Sequence, residues 1–150
     1  MSGSDAPVSA TKHRIRHRAR EAAVQILYQS EVGQTDVEDV LRTFWSANLP
    51  GSEDAPESVR IFAEQLVRLT VGNREKIDPI IVETAEHWRL SRMAALDRII
   101  LRLAISEFVE GSTPRNVVIN EALELAKTFS GEESVKFVNG ILDAVKKKMP

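Results

Sequence analysis

The sequence contains no cysteine, which excludes disulfides, thiolate nucleophiles and cysteine-ligated zinc or iron–sulfur sites. Its seven glycines are scattered as helix punctuation, and neither G-x-G-x-x-G nor G-x-x-x-x-G-K-[ST] occurs. No phosphate-cradling loop of the dinucleotide or P-loop type is therefore expected, and no cofactor is called for. No apolar span is long enough to cross a bilayer, and Met1 to Ala10 lacks the basic start and apolar core of a secretory signal. Residues 1–11 are accordingly expected to be a flexible tail, and the protein cytoplasmic. No stretch alternates with period two between hairpin turns, which argues against β-structure.

Acid is missing from one place in particular. Lys12 to Arg20, Lys-His-Arg-Ile-Arg-His-Arg-Ala-Arg, carries five permanent cations and no carboxylate. The whole chain nets −2, so setting those five cations aside leaves −7 for the remainder. An island of positive charge on an acidic body points to an acidic partner, most directly a nucleic acid.

With 43% hydrophobic residues in 150, the chain can bury a sizeable core, and residues 12–150 are expected to form a single domain. Ala19, Ala23, Ile26 and Leu27 predict a helix ending at Gly33, basic in its first turns and core-forming below. Cations at a helix N-terminus oppose the macrodipole by roughly a few tenths of a kcal/mol each, so an external anion should compensate them. Thr35-Asp-Val-Glu38 has capping-box spacing and opens a second helix through Val40, Leu41 and Phe44. Asn48 to Pro56 reads as a loop, and a third helix starts at about Glu57 and ends or weakens at Gly72-Asn73. Asp78-Pro79 predicts an N-cap and first position for a short fourth helix over about 79–87. Leu90 to Gly111 is apolar around much of its circumference and reads as one central helix, in which Asp97, Arg98 and Arg102 are expected to form structural ion pairs. Thr113-Pro114 and Ser130-Gly131 begin two more helices, giving an all-α chain of about seven.

Catalytic constellations are scarce. His13 and His17 have the i, i+4 spacing of zinc-binding histidines, but arginine follows His13 where H-E-x-x-H needs its glutamate, and no metal site is expected. His87 reads as a packed or capping residue. The acidic pairs near Asp36 and Glu132 suit helix starts without acid–base work. Nucleic-acid binding fits better. Arg16 and Arg20 share one helical face, while Arg14 and Arg18 lie on an adjacent one that could follow a phosphate strand. Tyr28 and Phe137 are the aromatic candidates for bases, although pattern alone favours core positions for both.

Four stretches together resemble the transcription antitermination factor NusB family: Arg16 to Tyr28 (RHRAREAAVQILY), Trp88 to Met93 with Leu96 to Ala104, Val118 to Lys127 (VINEALELAK), and Lys136 to Asp143 (KFVNGILD). The resemblance runs from about residue 14 to 146. It implies two small packed helical bundles and no catalysis. It also implies binding of single-stranded boxA RNA in ribosomal leader transcripts, with a NusE-like small-subunit ribosomal protein, the RNA polymerase elongation complex and other Nus factors as partners. The implied RNA contacts are Lys12, Arg14, Arg16, His17, Arg18, Arg20, Tyr28, Lys136 and Phe137, with Glu133 close by. Asp78, Glu83 and Glu86 are the expected contacts to a basic protein partner.

The family commonly has consecutive arginines where His17 stands here. An imidazole titrating near pH ~6.5 would strengthen RNA binding on acidification. The sequence leaves open a homodimer that masks the RNA face, a stand-alone protein-interaction bundle, and an RNA-binding module like that of ribosomal RNA cytosine methyltransferases.

Overall fold

A computed structural model describes residues 8–46, 55–86 and 90–150. Seven α-helices follow in order: α1 (Val8–Val32), α2 (Val37–Phe44), α3 (Glu57–Gly72), α4 (Arg74–Ala85), α5 (Ala95–Glu110), α6 (Arg115–Phe129) and α7 (Glu132–Lys148). A single 3₁₀ turn, Leu90–Arg92, precedes α5, and no strand occurs among the described residues.

The helices form two packed groups. The longest, α1, lies against α2 and α3, while α4, α6 and α7 gather around α5. The two groups meet where α5 also packs on α1 and α3. This central role explains why every residue from Ile99 to Phe108 is buried, polar ones included. The core joins Ala23, Ile26 and Phe44 of the first group to Ile100, Leu103, Leu125 and Leu142 of the second. The α5 terminus is set by Gly111, whose left-handed φ of 84° is open to glycine, while its N–H closes the last turn on the Glu107 carbonyl at 2.9 Å.

Four local expectations are corrected. Helix α1 begins at Val8, so residues 8–11 of the expected tail are helical, while residues 1–7 lie outside the described residues. The cap of α2 is Asp36, which accepts the Glu38 N–H at 2.8 Å. Thr35 is instead used in the preceding turn, donating to the Gly33 carbonyl while its own carbonyl accepts from Ser30.

Helix α4 starts five residues before Pro79, not at it. Pro79 is exposed, so water can serve the carbonyl that its missing N–H would have met. Asp78 is not a cap because Arg102 takes its carboxylate in a two-pronged pair at 2.8 and 3.0 Å. His87 lies outside the described residues. Finally, Leu90–Gly111 is not one helix: the chain breaks at Met93–Ala94, where Arg98 Nη1 donates to the carbonyls of Leu90 (3.1 Å) and Met93 (2.9 Å). Arg98 and Arg102 do pair, but with Glu31 and Asp78 and not with Asp97.

Candidate nucleic-acid interface

The basic start of α1 sits on a rigid support. Ala19, Ala22, Ala23 and Ile26 pack into the core, which anchors the helix just below its cations. The cations then divide by face. Arg20 points inward and is only 2% exposed. Its Nε and Nη2 donate to the two oxygens of Glu107 at 2.8 Å each, and Nη1 reaches Glu121 Oε1 at 3.3 Å. Burial works against the charged guanidinium, but the hydrogen bonds and charges of Glu107 and Glu121 outweigh it and raise the Arg20 pKa. Arg20 was expected to contact RNA; burial and the two carboxylates instead make it the tie between α1, α5 and α6.

His17 is likewise drawn away from the expected phosphate contact. Its Nδ1 is 3.1 Å from Glu121 Oε1 and its Nε2 is 3.4 Å from Glu21 Oε2, so both ring nitrogens face carboxylates. His13 Nε2 is 3.9 Å from the other Glu121 oxygen. Arg16 lies over the Phe62 ring at 5.1 Å, where Arg20 also approaches at 5.7 Å. Behind it, Glu110 accepts from Ser112, whose hydroxyl and backbone N–H lower the Glu110 pKa, with Arg16 adding a smaller electrostatic pull.

Arg14 and Arg18 take the outer side of α1, one turn apart. Arg14 is exposed and donates to the Thr11 hydroxyl at 3.5 Å, while Arg18 is half-buried. Helical rotation brings Tyr28 to within about 40° of Arg14, about 21 Å farther along the axis. Its side chain is 40% exposed, so the core position favoured by pattern alone is corrected. Tyr28 and Val32 border a depression of about 430 Å³ shared with Gln29, Thr35, Asp39 and Thr43. Lys12 is also exposed. Lys136 and Phe137 lie in the first turns of α7, which packs mainly on α4, α5 and α6. Lys136 is exposed and Phe137 rests partly buried against the core.

The three acids expected to meet a protein partner separate in the same way. Glu83 and Glu86 are exposed at the end of α4, but Asp78 is half-buried and committed to Arg102, with Arg74 at 3.5 Å. Arg102 also reaches Glu31 at 2.7 Å, and Arg98 pairs with the same carboxylate, so α1, α4 and α5 share one ionic junction. Burial would raise the Glu31 pKa, but hydrogen bonds and charges from Arg98 and Arg102 prevail and hold it below its ordinary 4.5. A depressed carboxylate contributes stability that is present in full above the unfolded value and is lost as pH falls through the folded one. Stability measured by urea denaturation should therefore fall as the pH is taken below 4.5, and Glu31→Gln should flatten that acid limb.

Sequence reasoning missed Glu107, Glu121 and Phe62, the groups that decide which cations face outward. One signal was legible: Ser106-Glu107 interrupts the most apolar segment, and a carboxylate there calls for a buried cation.

A model of the NusB family matches residues 17–147. The transcription antitermination protein NusB of Solibacter usitatus (strain Ellin6076) is 48% identical over 135 residues, covering 90% of each chain. That of Koribacter versatilis (strain Ellin345) is 45% identical over 135 residues, covering 89% of this chain and 90% of the relative. Among solved structures, T. maritima NusB superposes with a TM-score of 0.75 at 35% identity, over 89% of this chain and 91% of that one. A crystal structure of antitermination factors NusB and NusE in complex with double-stranded RNA gives a TM-score of 0.78 at 26% identity, over 91% and 98%.

Proposed function

Because the chain belongs to the NusB family of transcription antitermination factors, we propose that it binds the boxA element of ribosomal leader RNA together with a NusE-like ribosomal protein and acts on the elongating RNA polymerase in the cytoplasm. The observation that carries this reading is the outer face of α1, where Arg14, Arg18 and the exposed Tyr28 share one side of a helix anchored in the core. Cations on a fixed scaffold can hold a phosphate strand in register, while a ring farther along offers a base a stacking surface. Lys12 and Arg16 extend the charge, and Lys136 and Phe137 form a second contact patch on α7. Glu83 and Glu86 present carboxylates to the basic ribosomal partner. A NusB relative crystallised with NusE and RNA supports this pairing of partners.

Arg20 and His17 do not belong to the phosphate-contacting set, since their nitrogens are directed at carboxylates. The count of exposed or partly exposed cations in the run falls to Lys12, Arg14, Arg16 and Arg18. For single-stranded RNA, about four contacts at roughly 0.7 each predict a log-log salt slope near −2.8, where five would give about −3.5. Fluorescence anisotropy with a boxA RNA and a base-scrambled control, at several salt concentrations and with and without the NusE-like partner, measures both slope and specificity. Tighter binding to boxA in the presence of the partner is expected, and equal affinity for both RNAs would exclude specific recognition. With His17 held between Glu121 and Glu21, boxA affinity in wild type and His17→Gln should follow the same course between pH 6 and 8.

A further inference from the structure

The basic run has a second side, where Lys12 and Arg16 flank apolar walls that the RNA reading leaves unused. Between α1 and α3 lies a groove of about 640 Å³, the walls of which are Ile15, Ile61 and Phe62, with Lys12, Arg16 and Gln65 along its rim. Among the described residues, no carboxylate lines it. Ile61 is 52% exposed, an unusual outlay of aliphatic surface beside two cations.

The charge around the groove has a structural cause beyond those two side chains. The first turns of α1 and α3 meet here, Thr11 and Lys12 opposite Ser58 and Ile61, while Leu27 and Ser30 face Thr70 and Val71 near the other ends. The two helices therefore run parallel and present both N-termini, with their partial positive charge, at the same end. Among the described residues, Glu57 in the first turn of α3 and Glu110 near Arg16 temper this field, and neither lines the groove. On the opposite side of α1, about 160° away around the axis from Arg16, Arg14 faces outward with Arg18 and Tyr28. One face of α1 thus suits a phosphate strand, and the other pairs aliphatic walls with a cationic rim.

We propose that this α1–α3 groove is a docking site for a protein partner, specifically an acidic amphipathic helix whose aliphatic residues fill the space between Ile15, Ile61 and Phe62 while its carboxylates meet Lys12 and Arg16. Aliphatic walls favour side chains over nucleobases, and two-helix grooves accept a helix through anchors at i, i+3, i+4 and i+7. Charge complementarity then selects glutamate or aspartate on its flanks and rejects basic helices.

The full-length protein can be tested with a short designed helix carrying leucine at those four anchor positions and glutamate beside them, against the same helix with lysine for glutamate. Saturable anisotropy binding of the glutamate helix is expected, with amide shift changes centred on Ile15, Ile61 and Phe62. Ile61→Glu should weaken that binding about tenfold or more, while leaving the circular dichroism spectrum unchanged. Equal binding of the lysine helix, absence of saturation, or shifts centred on Arg14, Arg18 and Tyr28 would each overturn the proposal. So would amide shift changes at Ile61 and Phe62 on adding boxA RNA, which would assign the groove to RNA, or self-association abolished by Ile61→Glu, which would assign it to a second copy of the chain. The peptide measurements fail or succeed without reference to boxA recognition, so the two readings are tested separately.

Discussion

Replacing Arg20 with alanine should destabilise the protein by about 3–5 kcal/mol, because it strands the buried Glu107 carboxylate without its cation and leaves Glu121 to the neighbouring histidines. Glu107 and Glu121 are each 4% exposed, so water cannot take over the three hydrogen bonds that the guanidinium supplies. A domain of this size has a total stability of roughly 5–15 kcal/mol, which makes this the most damaging single truncation in the basic run. Urea denaturation at pH 7 measures it, and a loss of about 1 kcal/mol or less would return Arg20 to the class of surface cations.

Arg20→Lys keeps the charge but lacks the planar fork that grips both Glu107 oxygens, so an intermediate loss is expected. This variant also separates stability from binding. While it remains folded, its boxA affinity and salt slope should match those of the parent, as its ammonium is still held inside. Truncating the exposed Arg14 should give the reverse pattern: little change in stability, and a slope shallower by about 0.7.

The second large effect is expected at Tyr28. A base stacked on an aromatic ring contributes about 1–3 kcal/mol by alanine substitution, so Tyr28→Ala should weaken boxA binding by a factor of about 5 to 150. Tyr28→Phe keeps the ring and should bind nearly as well as the parent. Because the side chain is 40% exposed, neither change should alter the melting temperature by much, unlike Arg20→Ala. The salt slope should also be the same in all three proteins, since no phosphate contact is removed. Unchanged affinity in Tyr28→Ala would take the ring out of the RNA interface and leave Val32 and the depression beside it without a role in binding.

Much of the fold could be read along the chain. Apolar spacing of period 3.6 marked most of the helices, because the stripe that must be buried is a local property of the sequence, while α4 was marked only by the Asp78-Pro79 signal and with the wrong start. Gly33, Gly111 and Ser130-Gly131 marked helix ends for a similarly local reason. The errors have different causes. Asp78 reads as a cap because its competing partner is remote, Arg102 taking it from 24 residues away. Leu90–Gly111 reads as one helix because its apolar spacing continues across Met93, where Arg98 helps hold the break with its guanidinium on two carbonyls.

The candidate interface divides along the same line. By itself, the sequence determined that the chain is all-helical, that five cations cluster at the start of one helix on an otherwise acidic body, and that four ordered motifs match the NusB family. Only the tertiary structure decided which cations are available to a ligand. Glu107 and Glu121 lie 87 and 101 residues beyond Arg20, and they reach it only because α5 and α6 pack against α1. Helical periodicity fixes the angle at which a side chain leaves its own helix. Whether that direction meets solvent, an aromatic ring or a buried carboxylate depends on how other helices pack there.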